Sequence, residues 1–161
     1  LDNLEKTYEH LRELPELEKA IALAAFLHVG QVDLTGKPYI MHPMRVMAGV
    51  KAYDAMVVAA LHDLIEDTDI TLDELKELGF REEIVEAVDA VSKRDGEEYM
   101  DYVARAAANP IGIEVKLSDL RDNLDKTRKL PDDERAKKKI KKYKKAMAYI
   151  EEVMEKGKEK G

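Results

Sequence analysis

From Ala55 to Leu61 every side chain is apolar, and the next two residues are His62 and Asp63. A run of this kind has no polar face, so it must be enclosed on all sides. It reads as a central buried helix that starts at an Asp54 cap and continues to Asp67. A membrane span would need about 20 apolar residues in a row, far more than this run supplies. The rest of the chain must therefore build a shell around the helix, and the polar pair at its end must find partners there.

That shell is also helical by pattern. Leu17, Ala20, Ile21, Ala24 and His28 recur at steps of three and four, which places them on one face of a helix from about Pro15 to Gly30. Residues 31–38 read as a loop. A helix starting near Tyr39 carries His42, Met44, Val46 and Met47, with Pro43 in its first turn, where a missing N–H does no harm. Thr71-Leu-Asp-Glu74 is a capping box that opens a short helix, and Gly79 closes it. Further helices are predicted over 82–91, 97–108 and 111–123, the last opened by Pro110. No segment alternates apolar and polar residues between turn signals, so the fold class is all-α. A length of 161 residues with 45% hydrophobic content suits a single domain over 1–161, with its core at about 15–130 and a docking helix at about 132–157.

Charge is unevenly spread. Between Lys126 and Lys145 eleven Lys or Arg face three acids, a local charge of +8 in a chain of −7, which leaves −15 elsewhere. Wound as a helix, this stretch aligns Ala136, Ile140, Tyr143, Met147, Ile150 and Met154 into a seam that docks on a core or pairs two copies in a homodimer. The lysines are then either a solvated face or a field that steers an anionic ligand toward a nearby cleft. An acidic body repels a phosphate backbone, so no nucleic-acid polymer is expected as a partner. Cysteine is absent, which excludes disulfides and thiolate metal sites and leaves nitrogen and oxygen as the donors for any metal. The first residues lack the basic and then apolar blocks of a signal peptide. The expectation is a soluble cytoplasmic protein with no membrane partner.

His62 and Asp63 are where chemistry enters. An unpaired carboxylate in an apolar environment is expensive, so Asp63 needs a cation, a metal or a donor beside it. Helical spacing puts Glu66 one turn after His62 and Asp67 one turn after Asp63. The 111–123 helix repeats the situation, with Lys116, Asp119 and Asn123 on one face. Packed against the central helix, Asp119 would complete a set with His42, His62 and Asp63, and two imidazoles with two carboxylates suit Mn, Fe, Zn or Co. Singly, each of these residues reads better as a hydrogen-bonded core side chain than as a ligand. His28 stays outside the set, and His10 reads as surface.

The order His42, His62-Asp63, Asp119 resembles the metal-dependent phosphohydrolases called HD domains, compact bundles of about eight or nine helices. Within them, His28-x-Gly30-Gln31, Gly36-x-Pro38-Tyr39-Ile40-x-His42-Pro43, His62-Asp63-x-x-Glu66-Asp67-Thr68 and Val115-Lys116-Leu117-x-Asp119-x-x-x-Asn123 are similar to the hydrolase domain of RelA/SpoT-type alarmone enzymes, in particular its small stand-alone members. The resemblance covers roughly residues 15–130. It implies that His42, His62, Asp63 and Asp119 bind one Mn ion, that Glu66 and Asp67 orient or deprotonate the attacking water, and that Asn123 contacts a nucleotide. The implied reaction removes the 3′-pyrophosphate from guanosine tetra- or pentaphosphate. Animal relatives are also described as NADPH phosphatases. The chemistry is coherent, since a divalent ion activates water and offsets phosphate charge while a neighbouring carboxylate takes the proton.

One position departs from the pattern. Shortly after His-x-x-Gln these hydrolases carry a basic pair whose Arg stacks on guanine, and this chain has Asp33 and Leu34. An acid cannot stack as a guanidinium does, and it repels phosphate. Tyr39, Lys37, Arg45 and Lys116, with Asn123, are the predicted substrate contacts. The leading reading is an enzyme acting on a (p)ppGpp-like nucleotide. The alternatives are a phosphatase for another small phosphorylated nucleotide such as NADPH, and a binding module that keeps the metal as a staple without turnover. The Glu66-Asp67 pair favours an enzyme, because a staple would not need it.

Overall fold

Few glycines and prolines interrupt the chain, and nearly every stretch between them winds into helix. The computed structural model describes residues 2–161, the side chains of residues 2–5 and 127 excepted. Its helices are α1 (Asp2–Glu13), α2 (Glu16–Leu27), α3 (Met41–Ala48), α4 (Tyr53–Leu61), α5 (Leu64–Asp67), α6 (Leu72–Glu77), α7 (Glu82–Ala90), α8 (Tyr99–Ala108), α9 (Gly112–Asn123) and α10 (Glu134–Glu159), with a 3-10 turn at Lys126–Arg128 before the last. Among the described residues the only extended pairing is an isolated antiparallel bridge between Val32 and Pro38. The architecture is all-α.

The compact all-α bundle is as expected, but the central helix is broken rather than continuous to Asp67. After Leu61 the backbone at Asp63 moves to φ −100°, ψ −2°, and α5 restarts at Leu64. The predicted cap is also displaced: Ala52 precedes α4 with an extended backbone, while Asp54 lies inside the first turn and pairs with Arg81. The helix expected from Tyr39 begins at Met41, since Tyr39 and Ile40 form the turn that leads into it.

α4 is the hub. Ala55, Val57, Val58, Ala59, Ala60 and Leu61 are all buried, and α2, α3, α7 and α9 pack around them. Small residues on α4 let its neighbours approach, while Leu23, Val46, Val88 and Leu120 fill the spaces between helices. Replacing Leu61 by Ala would remove a fully enclosed side chain and should cost about 2–5 kcal/mol. Arg81 ties the shell from outside, donating to Glu16 of α2 at 2.8 Å as well as to Asp54 of α4. Inside it, the Lys19 ammonium donates to the Leu78 carbonyl at the end of α6 at 2.8 Å.

Two packing details position the site. At Gly49, after α3, a Cβ would come within 2.3 Å of Ser118 Oγ, so only glycine lets α3 and α9 approach this closely; Ser118 uses the gap to donate to the Val46 carbonyl at 2.9 Å. α10 packs on α8 and α9 of its own chain, burying Ala136, Ala146 and Ile150 of the predicted seam region. It thereby brings its lysine-rich flank alongside α9.

Candidate active site

The break between α4 and α5 gives His62 and Asp63 their placement. His62 is fully enclosed, and its Nδ1 lies 2.6 Å from the Ala59 carbonyl, so that nitrogen carries the proton and Nε2 presents a lone pair. From α3, His42 Nδ1 faces Asp122 Oδ2 at 2.6 Å, which assigns its proton in the same way. The two Nε2 atoms then meet at 3.3 Å. Asp119 Oδ1 lies 3.0 Å from His42 Nε2 and 3.6 Å from His62 Nε2, and Asp63 Oδ2 lies 3.1 Å from His62 Nε2 and 3.5 Å from His42 Nε2.

Four lone-pair donors facing one another need a cation between them. Donors held about 2.0–2.2 Å from one ion stand about 3.0–3.5 Å apart, and the spacings here match that range. His42, His62 and Asp119 each offer an atom within 4.8 Å of the others, all three buried. With protons as the only cations, the same field acts on the imidazoles: burial pulls the His62 pKa down, but Asp63 and Asp119 raise it well above the ordinary histidine value. His42 is raised too, burial again being outweighed by Asp119, Asp122 and Asp63. The donor set therefore fits a divalent ion with nitrogen and oxygen preferences.

Second contacts hold the carboxylates. Tyr39 donates its hydroxyl to Asp63 Oδ2 at 2.5 Å. Asn123 Nδ2 donates to Asp119 Oδ1 at 2.9 Å, and the buried Lys116 ammonium reaches Asp119 Oδ2 at 2.8 Å while lying over the Tyr102 ring. Lys116 is thus committed to Asp119, which burial would otherwise push up and which is instead held well below the carboxylate range.

Of the four donors, all except the enclosed His62 line a cleft of about 490 Å³. Glu66 and Asp67 stand at its mouth, reachable by solvent yet crowded by neighbours. Burial and the Asp63 charge push the Glu66 carboxyl up to about 7, and the same two causes raise Asp67. The cleft is also lined by cationic and aromatic side chains: Lys93, Lys139, Lys142 and Arg128 with Tyr99 and Tyr143. The lysines of α10 thus have both fates considered from sequence, Lys139 and Lys142 lining the cleft while others, such as Lys141 and Lys144, face solvent.

Of the predicted substrate contacts, Tyr39, Lys116 and Asn123 line the cleft, whereas Lys37 and Arg45 do not. Lys37 is exposed beyond the loop, and Arg45 is engaged with Asp122 at 2.7 Å. His28 stays apart from the quartet as expected, buried against the Tyr39 ring with Nδ1 2.8 Å from Gln31 Oε1. His10 is exposed. Sequence reasoning passed over Asp122, although it lies three residues after Asp119 on the same helical face. It also passed over Arg128, whose position beyond α9 carries no periodic signal.

No family model matches the chain. A guanosine-3′,5′-bis(diphosphate) 3′-pyrophosphohydrolase of Aquifex aeolicus is 33% identical over 136 residues, covering 76% of this chain. The bifunctional (p)ppGpp synthase/hydrolase SpoT of Escherichia coli is 35% identical over 113 residues, covering 68%. The chain is related to (p)ppGpp pyrophosphohydrolases. It spans less than a fifth of the length of these relatives, 19% and 16%. A solved structure described as a metazoan ortholog of SpoT that hydrolyses ppGpp superposes with a TM-score of 0.64 at 21% identity, covering 89% of this chain and 96% of that one. That match shows that the two chains share a fold.

Proposed function

We propose that the chain is a divalent-metal-dependent phosphohydrolase that removes the 3′-pyrophosphate from (p)ppGpp-like guanosine nucleotides. The observation that carries this reading is the meeting of His42, His62, Asp63 and Asp119 at a cleft that Glu66, Asp67 and several cationic side chains also line. Mn is the ion put forward, with Fe, Zn and Co as ions the same donors accept. Bound there, such an ion supplies Lewis acidity toward a phosphate oxygen and lowers the pKa of water.

The chain's own residues account for the rest. Glu66, titrating near neutrality, takes a proton from the water that attacks the phosphorus attached to O3′ and can return it to that oxygen as the P–O3′ bond breaks. Asp67 holds the water from the other side of the same turn. Asn123 and Tyr39 border the reacting group, and Lys93, Lys139, Lys142 and Arg128 face the remaining phosphates. Because α10 supplies part of that lining, residues 15–130 and α10 act as one unit in this reading, and the working location is the cytoplasm.

Asp33 and Leu34 favour a second reading, a phosphatase for another small phosphorylated nucleotide such as NADPH. Both line the cleft, and they place an acid and an apolar side chain where the resemblance calls for a basic pair. Ion-exchange analysis of products after mixing Mn-loaded protein with ppGpp, with Asp63→Ala as blank, decides between them. GDP and pyrophosphate from the parent alone support the first reading. Bound Mn with intact ppGpp rejects it, and turnover of NADPH in the same assay establishes the second.

A further inference from the structure

Asp122 lies behind His42, on the side away from the other three donors. Its side chain is only 8% exposed, and its Oδ2 lies 2.6 Å from His42 Nδ1. Arg45 donates from Nε to Oδ1 at 2.7 Å and from Nη2 to Oδ2 at 3.1 Å, and Arg128 Nη1 approaches Oδ2 at 3.3 Å. Two guanidiniums therefore fix the orientation of this carboxylate and compensate its charge, which is what permits it to be buried.

The consequence falls on the imidazole. A carboxylate 2.6 Å from His42 Nδ1 offers only acceptor oxygens, so Nδ1 keeps a proton and Nε2 is the nitrogen left to give a lone pair to a cation held with His62 and Asp119. For His62 the Ala59 carbonyl does the same from its own helix. His42, in the first turn of α3, takes its acceptor from another helix. α9 supplies it because Asp119 and Asp122, three residues apart, project from one face toward α3.

We infer that Asp122, braced by Arg45, is a positioning residue that sets the tautomer, orientation and basicity of His42 and so tunes the affinity of the four-donor site for a divalent cation. This rests on the reading of His42, His62, Asp63 and Asp119 as a cation site. Outer carboxylates of this kind commonly change metal affinity by about 10–100-fold when removed.

The informative variant is Asp122→Asn. Arg45 donates to both carboxylate oxygens, so the single oxygen of an asparagine turns toward its Nε and the amide N–H₂ faces His42 Nδ1. That reverses the tautomer and places a proton on Nε2, between the donors. Asp122→Ala instead leaves room for a water that can still accept from Nδ1. Mn titrated alone into metal-free protein, followed by calorimetry, should bind about 10–100-fold more weakly to the Asn variant and be less impaired in the Ala variant. Long-range 15N–1H spectra of the metal-free proteins, recorded at a pH high enough for His42 to be neutral, should show it protonated at Nδ1 in the parent and at Nε2 in the Asn variant.

A packing role would give the opposite order, with Ala worse than Asn and the His42 ring signals unchanged, and would overturn the inference. So would Mn binding within twofold of the parent in whichever variant folds. A parent that binds no Mn overturns both this inference and the cation reading beneath it. A parent that binds Mn alongside unaffected variants overturns the inference alone.

Discussion

Asp33 and Arg128 face each other across the mouth of the cleft, with Oδ2 3.4 Å from Nη2 and both side chains nearly buried. The acid that looked misplaced for a phosphate-binding loop has a structural task. Its Oδ1 accepts from the Thr35 amide at 2.8 Å, the Thr35 hydroxyl at 2.6 Å and the Lys37 amide at 3.1 Å, closing the turn that leads to Tyr39. Arg128 in turn reaches Asn123 Oδ1 at 3.2 Å, so a guanidinium does enter this wall of the cleft, from the segment after α9.

Restoring a basic residue at this position should therefore harm the fold. Asp33→Arg removes the turn acceptor and sets two guanidiniums against each other, whereas Asp33→Asn keeps the acceptor and loses only charge. Asp33→Ala should cost about 1–3 kcal/mol in urea unfolding, Asp33→Asn less and Asp33→Arg the most. Equal midpoints for Arg and Asn would refute this account of the loop.

The depressed carboxyls also set an acid limit to stability. Asp122 is held at about 2 by His42 and Arg45 against the pull of burial, and Asp33 is lowered by Thr35, Lys37 and Arg128 against the same pull. A carboxyl with a folded pKa below its unfolded one stabilises above the unfolded value, and loses that contribution as pH falls toward the folded value. The contribution of these two carboxyls should be flat from neutrality to about pH 4 and then drop, with Asp122 accounting for about 1–2 kcal/mol once solvent screening is allowed for. Melting temperatures of the parent and Asp33→Asn between pH 2 and 7 would show it, the variant losing less over the acid limb.

Local pattern was enough to find the helices and to single out His42, His62, Asp63 and Asp119, which the fold brings together, and what it did not find has physical causes. The capping box at Thr71 is a contact between near neighbours, and it forms as spaced, Thr71 Oγ1 accepting from the Glu74 amide at 3.2 Å. The break after Leu61 could not be read that way. Nothing in the 55–67 pattern opposes a continuous helix, and the turn appears where His62 and Asp63 face partners more than 50 residues away on α9. His62-Asp63 was visible because polarity in an apolar run stands out. Arg45 was misjudged because its partner, Asp122, is 77 residues distant, and a free arginine looks the same in sequence as a paired one.

Glu66 should separate chemistry from binding. Glu66→Gln keeps shape and removes the base, so kcat should fall by about 10²–10⁴-fold with Mn affinity unchanged. Parent activity should rise with pH through a limb whose midpoint lies at or below about 7, since a bound cation can only favour the charged form. Stability should move the other way. A carboxyl whose folded pKa is raised loses stability as pH climbs past its unfolded value, so Glu66→Gln should melt no lower than the parent at pH 8, and higher if the full shift is present. Unchanged turnover in Glu66→Gln would remove this residue from the reaction.

The lysines on the cleft wall make an ionic-strength argument. Burial lowers the Lys142 pKa, and the nearby charges of Lys139, Lys116 and Lys93 lower it further, a crowding of cations that a multiply charged phosphate would relieve. A double Lys139→Ala, Lys142→Ala variant should raise KM for ppGpp by about 10-fold or more with kcat little changed, because these side chains act on the bound ligand rather than on the reacting bond. The difference from the parent should shrink as salt rises from 50 to 300 mM, where a Debye length of about 6–14 Å screens the field. Lys141→Ala and Lys144→Ala on the solvent side of α10 serve as charge-matched controls. If they raise KM as much, the wall contributes only net charge and the contact assigned to Lys139 and Lys142 is wrong.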